Sequence, residues 1–149
     1  MSDQGSACRL PSPGSGAPEN TVRRIFEMKT IAVVGCSPKA ERPSHYVAAY
    51  LKEHGYRIIP VNPGHKEILG EPCYPNLSSI PGPVDVVDVF RRSEEVLPII
   101  QEAIKVGAKA IWLQDGITHP LGEEQALKAG MLVVSNDCMM RRHSRMRRH

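Results

Sequence analysis

Between Gly35 and Ser44 the chain collects the residue types that hold phosphate. Gly35 permits a close backbone approach, Ser37 adds a hydroxyl donor, and Lys39 and Arg42 bring charge up to Ser44, where a helix is expected to begin. The N-terminus of such a helix adds unpaired N–H groups and partial positive charge of its own. A second run, Val61-Asn62-Pro63, is informative for what it lacks. Units that grip a nicotinamide dinucleotide place Asp or Glu near this point to hold the ribose 2′-OH. An acid there would repel a ribose that carries phosphate, and Asn would not. These residues point to a phosphorylated adenine nucleotide other than NAD. The turn alone is ambiguous, because only the first glycine of Gly-x-Gly-x-x-Gly is present. By itself it reads equally as an ordinary tight turn with exposed cations.

The elements that must position these groups alternate between strand and helix. Strands are expected over Thr30–Val34, Arg57–Val61, Val84–Val89, Lys109–Leu113 and Met131–Val134. Helices are expected from about Ser44 to His54, after an N-cap at Ser93, over about Pro120–Ala129, and from near Cys138. The clearest amphipathic pattern is Val96, Ile99, Ile100, Ala103 and Ile104. Gly55, Gly107 and Gly130 each stand just before a strand and suit left-handed helix C-caps. The segment from Pro63 to Pro83 is Pro-rich, with room for a short turn near Leu77–Ile80. This alternation predicts an α/β, Rossmann-like, five-stranded parallel sheet of order 3-2-1-4-5. Helices cover both faces, and the switch point lies between strands one and four. Residues 1–19, rich in Ser, Gly and Pro, read as a disordered leader, and Asn20 as the cap of a short helix. Residues 20–149 then form a single domain.

In such a sheet, ligands sit beyond the carboxyl ends of the strands. There the chain has Gly35-Cys36-Ser37, Asn62-Pro63 with Lys66, Phe90-Arg91-Arg92, Gln114-Asp115-Gly116-Ile117 and Asn136-Asp137-Cys138. Simpler readings remain open for several of these. Adjacent arginines are often solvated, Gln114-Asp115-Gly116 also suits a plain turn, and His119 before Pro120 suits a helix start. Cys36 and Cys138 fit small buried thiols or thiols lining a ligand cleft. No catalytic dyad or triad is legible.

The chain's 149 residues are 41% hydrophobic and 23% charged, which is ordinary globular usage. No apolar run approaches the ~20 residues that span a bilayer, no secretory signal is legible, and a cytoplasmic protein is expected. Cysteines at 8, 36, 73 and 138 have no metal-finger or redox-pair spacing. The net charge of +3 is unevenly placed: Arg141–His149 hold five Arg and no acid. Without those five, 14 basic side chains face 16 acidic ones, so the body is not a nucleic-acid binder. The tail itself reads as a solvated terminal helix.

Taken together, several separated motifs resemble the stand-alone CoA-binding domain proteins, relatives of the CoA-binding domain of succinyl-CoA synthetase α subunits. They are Val33-Val34-Gly35-Cys36-Ser37, Arg42-Pro43-Ser44, Tyr50-Leu51, Gly55-Tyr56, Pro60-Val61-Asn62-Pro63, the run from Val84 to Arg92, Gly107-Ala108-Lys109, Trp112-Leu113-Gln114 with Gly116-Ile117, and Cys138 with His143. The resemblance covers roughly residues 25–146 and implies a Rossmann-like fold with coenzyme A or an acyl-CoA as ligand. It implies that Gly35, Ser37, Arg42 and Ser44 hold the diphosphate region, with Asn62 and Pro63 near the adenosine. Val89, Phe90 and Arg91 would line the nucleotide cleft, and Gln114, Gly116 and Ile117 would face the pantetheine. Where relatives often carry Asp-Arg-Cys, this chain has Asn136-Asp137-Cys138, so no role for that arginine carries over. Lys39, Arg42, Lys66, Arg91 and Arg92 offer cations to CoA's diphosphate and 3′-phosphate.

The main expectation is CoA or acyl-CoA binding without intrinsic catalysis. Alternatives are a partner-dependent component of an acyl-CoA ligase or acyl transferase, an NAD(H)-binding redox sensor, and a mixed disulfide of CoA with Cys36 or Cys138. No membrane or nucleic-acid partner is expected. A protein partner or a second copy of the chain stays open.

Overall fold

Alternation of side chains that are apolar on both faces makes the central strands of this chain. A computed structural model describes residues 17–147, and most of the expected leader lies outside them. In chain order the elements are α1 (Glu19–Phe26), β1 (Thr30–Val34), α2 (Pro43–Glu53), β2 (Arg57–Val61), β3 (Glu67–Ile68), β4 (Glu71–Pro72), β5 (Val86–Val89), α3 (Val96–Val106), β6 (Ala110–Leu113), α4 (Pro120–Lys128), β7 (Leu132–Val134) and α5 (Met139–Arg147). Short 3-10 turns occupy Leu77–Ser79 and Ser93–Glu95. Ile31, Val33, Val86, Ala110 and Trp112 pack with α1, α2 and α5 on one face, where Val22, Ile25, Val47, Leu51 and Met139 meet them. Ala32, Val34, Val87, Val89, Ile111 and Leu113 pack on the other face with Val96, Ile100, Ala103 and Ala126 of α3 and α4. Covering both faces is what an all-parallel sheet requires. No helix among the described residues is long and apolar enough to cross a membrane.

The expected class, the five parallel strands and the helices on both faces are all present. The order differs in one respect. The sheet runs β2-β1-β5-β6-β7, so the five main strands lie 2-1-3-4-5 rather than 3-2-1-4-5. The switch point is therefore between β1 and β5. Pro60 supplies one physical reason, since proline has no N–H for a ladder and is confined to edge strands. The outer side of β2 is also taken: Asn62 N–H donates to the Tyr74 carbonyl at 2.9 Å, and Tyr74 N–H to the Pro60 carbonyl at 3.1 Å. Asp85 then anchors β5 beside β1. Its Oδ2 accepts from the N–H groups of Lys29 and Thr30, both at 3.1 Å, and its own N–H donates to the Thr30 carbonyl at 3.2 Å.

Asp85→Ala is accordingly expected to cost about 1–3 kcal/mol, because two strand-end donors lose a charged acceptor. Urea unfolding of the variant measures this, and an unchanged midpoint would show that the anchor contributes nothing.

Two helix boundaries and one connection also differ from expectation. α1 begins at Glu19 after Pro18, with no cap from Asn20. Ser93 opens a 3-10 turn, and α3 starts at Val96 without a side-chain cap. The β3–β4 hairpin falls within the Pro-rich segment, where only a turn was expected. The glycine C-caps are as read: Gly55, Gly107 and Gly130 have φ of +96°, +81° and +89°.

Candidate functional site

Beyond the carboxyl ends of β5 and β6, the edge of the sheet opens into a cleft of about 1140 Å³. That lies at the upper end of the ~300–1,000 Å³ usual for small-molecule sites. Phe90, Arg91, Arg92 and Ser93 form one wall and Gln114 to Ile117 the floor. The first turns of α2 contribute Pro43, Tyr46, Val47 and Tyr50, and α5 contributes Met140, Arg141, Ser144 and Arg145.

Gly35 builds the junction under this cleft. Its φ is +87°, and a Cβ placed there would lie 2.7 Å from the Phe90 carbonyl oxygen and 3.2 Å from Arg91 Nε. Only glycine lets the β1 turn pass so close to the β5 loop. Ser37 and Ser44 shape that turn rather than facing outward. Ser37 N–H donates to Ser44 Oγ at 2.9 Å, and Lys39 N–H donates to Ser37 Oγ at 3.0 Å. Arg42 is the N-cap residue of α2 and makes no side-chain cap bond. Asn62 is spent on the scaffold, with Nδ2 donating to the Cys36 carbonyl at 2.9 Å and Oδ1 accepting from Gly64 N–H at 3.1 Å. Pro63 and Lys66 are exposed beyond it.

The sequence-derived candidates thus fall into two groups. Phe90, Arg91, Gln114, Gly116 and Ile117 meet in the cleft. Gly35, Ser37, Lys39, Arg42 and Ser44 form the neighbouring turn and helix start. Two candidates are sealed inside. Val89 is fully buried in the core on the α3 side, because strand alternation turns it away from the α2 and α5 face. Cys36 is fully buried as well, and its thiol donates to the Ser44 carbonyl at 3.6 Å. Burial, with Cys73 and Asp88 nearby, pushes that thiol up to about 12. A mixed disulfide at Cys36 is therefore corrected on geometry. Cys138 does line the cleft, though burial raises its thiol too.

The α5 wall was missed. The Arg-rich segment is a docked helix, not a solvated one, as far as Arg147. Buried Asp137 organises it: Oδ2 accepts from Arg142 at 2.6 Å, and Oδ1 accepts from Arg141 at 3.1 Å and from Cys138 N–H at 2.8 Å. The Asp137 carbonyl accepts from Trp112 Nε1 at 2.9 Å. The available signal was an acid, Asp137, placed four and five residues before Arg141 and Arg142.

Charge in the cleft is partly neutralised. Arg141 forks onto Asp115 at 2.9 and 3.0 Å, which holds that carboxyl below its usual range. Arg92 pairs with Glu94 and Glu95. Arg91 and Arg145 have no ion pair or side-chain hydrogen bond among the described residues. Beneath the floor, behind Gln114, lies one more charge-bearing group. Asp88 is fully buried, and burial raises its carboxyl to about 7 against the hydrogen bond from Gln114.

An aromatic cluster fastens α5 to α2. The Tyr50 hydroxyl meets His143 Nδ1 at 2.9 Å, and the His143 ring lies edge-on to Phe26, Tyr50, His54 and Tyr56. Burial, then His54 and Arg147, depress the His143 pKa below its ordinary 6.5. Folding favours the neutral ring, so this contribution is complete above about pH 6.5 and is lost as pH falls through the depressed folded value. Wild type is expected to lose more thermal stability than His143→Gln between pH 7.5 and 5. Parallel pH profiles would contradict this role.

Comparison with known proteins agrees with this fold. The sequence model of a family described as a CoA binding domain matches residues 29–144. The chain is 37% identical over 116 residues to the uncharacterized protein YneT of Bacillus subtilis, covering 78% of this chain and 86% of that one. It is 32% identical over 128 residues to the ADP-forming acetate–CoA ligase I of Archaeoglobus fulgidus, covering 79% of this chain but only 19% of the ligase. A hypothetical protein of Pyrococcus horikoshii has a solved structure with TM-score 0.85 and 40% identity, covering 93% of this chain and 98% of that one.

Proposed function

The chain belongs to the CoA binding domain family, and from that membership we propose that it binds coenzyme A or an acyl-CoA in the carboxyl-edge cleft, without chemistry of its own. One observation carries the reading: the unpaired Arg91 lines the cleft with its Nε 3.2 Å from where a Gly35 Cβ would stand, and Pro43 of the first turn of α2 lines the same cleft. A phosphate there would meet a cation able to grip it with two donors, beside the positive end of the α2 dipole. The donor set fits a ligand with several phosphates. Arg91 and the Gly35–Ser44 turn would hold the diphosphate. Arg145, Lys39, Arg42 and Lys66 remain for the 3′-phosphate. The apolar sides of Tyr46, Val47, Ile117 and Met140 would cover the adenine and the arm. CoA supplies the thiol that carries an acyl group, and this chain's residues would bind and orient it.

Calorimetry with CoA and dephospho-CoA tests the reading. CoA is expected to bind about 10-fold tighter or better, one charge-assisted phosphate contact being worth about 1.5–3 kcal/mol. Negligible heat with both ligands would refute it.

A second reading draws on the acetate–CoA ligase, of which this chain matches a fifth or less. In it, the chain is the CoA-holding component of a larger acyl-CoA-forming assembly. Acyl-CoA formation only in a mixture with a nucleotide-binding partner subunit would favour it over simple binding. Continued inactivity with such partners would count against it.

A further inference from the structure

Gln114 closes the floor of the cleft, and its orientation is dictated from below. Its Nε2 donates to Asp88 Oδ1 at 2.5 Å. Asp88 stands in β5 opposite Trp112 of β6 and is sealed from solvent. Its Oδ2 has no partner among the described residues, so Gln114 is the only side chain that answers this carboxyl. Ionised, above about pH 7, the carboxylate accepts and does not donate, so the amide turns its NH₂ group down toward Asp88. The other end of the amide, Oε1, is left on the cleft side, and it has no protein partner among the described residues.

The neighbouring donors of the same loop are already committed. Gly116 N–H donates to Asn136 Oδ1 at 2.8 Å, and Ile117 N–H to the Gln114 carbonyl at 2.9 Å. The Asp115 carboxylate stands beside them. This end of the cleft offers an acceptor at Gln114 and a carboxylate, Asp115, already answered by Arg141, whereas the Arg91 end offers an unpaired cation. At the Gln114 amide oxygen a group that donates N–H is favoured.

We propose that Asp88 is a positioning residue that locks Gln114 as a hydrogen-bond acceptor, so that this end of the cleft selects the amide-bearing arm of the ligand by its N–H groups. The inference rests on the CoA reading above, in which the resemblance already turns Gln114 toward the pantetheine, and it adds what holds the Gln114 amide as an acceptor. Asp88 acts through Gln114 and touches no ligand itself.

The test compares two ligands on the full chain at about pH 8: CoA, and its nucleotide part alone, adenosine 3′-phosphate 5′-diphosphate, which lacks the amide arm. Gln114→Leu is expected to weaken CoA about 5- to 10-fold while the nucleotide's affinity stays within about twofold. Asp88→Asn, nearly isosteric, removes the acceptor-only partner and is expected to weaken CoA in the same selective way by about 3-fold or more. It carries the test alone if Gln114→Leu does not fold. Unchanged CoA affinity in the variants overturns the proposal. Equal losses for both ligands also overturn it, since they report structural damage. If wild type binds CoA and the nucleotide equally well, the CoA reading stands and this inference falls. If wild type binds neither, both fall.

Discussion

Gly35→Val is expected to lower the melting temperature by roughly 5–15 °C and to abolish saturable CoA binding. Two costs add at this position. The backbone at φ +87° is strained for any residue with a Cβ, and the new Cβ would stand 2.7 Å from the Phe90 carbonyl oxygen. That neighbour is backbone at the end of a central strand, so it cannot swing aside as a flexible side chain would. Relief requires the Phe90–Arg91 loop to move, and that loop is one wall of the cleft. Stability and binding should therefore fall together. Gly55→Ala is the matched control. Its φ is +96°, but nothing lies within 4 Å of the added Cβ. It should cost about 1 kcal/mol of backbone strain and leave CoA affinity unchanged. If Gly35→Val retained wild-type binding, the turn would not be part of the site.

Arg91→Ala is expected to weaken CoA about 10- to 100-fold with little change in stability. The reasoning is one of availability. Arg91 and Arg92 are adjacent, and both line the cleft, yet only Arg92 is held by acids: Glu95 at 3.1 Å and Glu94 at 3.8 Å. Arg92 must surrender those partners to meet a phosphate, whereas Arg91 has nothing to surrender. Arg92→Ala should therefore change affinity by about threefold or less. The loss at Arg91 should shrink as salt rises, because the contact is charged and partly exposed. Equal effects at the two arginines, measured by calorimetry at low salt, would contradict this assignment.

Local patterns in the sequence carried most of the fold. β1 and β2 were bounded to the residue, because four buried apolar positions in each sit between clear turn signals. The helix–glycine–strand junctions were legible because Gly55, Gly107 and Gly130 have one job that other residues do poorly. The errors lie where a distant partner decides. The place of β5 depends on Asp85 reaching Lys29 and Thr30 and on Tyr74 occupying the outer side of β2, contacts that no periodicity encodes. Pro60 was a local hint at an edge strand that the topological rule outweighed. The site divides the same way. Phe90, Arg91 and Gln114, read at strand ends, do line the cleft, and Gly35 packs against the Phe90–Arg91 wall. The α5 wall was missed because an Arg-rich segment looks solvated until buried Asp137 is seen to gather Arg141 and Arg142. Val89 and Cys36 were placed on the cleft because adjacency in sequence was taken for adjacency in space; strand alternation and the Ser44 carbonyl turn them inward.

A crystal structure of the chain grown with CoA tests the central claim most directly. The account predicts the diphosphate against Arg91 and the Gly35 turn, with the amide arm running over Gln114 toward α5. Ordered CoA bound at another surface, with the space between Arg91 and Gln114 filled only by solvent, would contradict it.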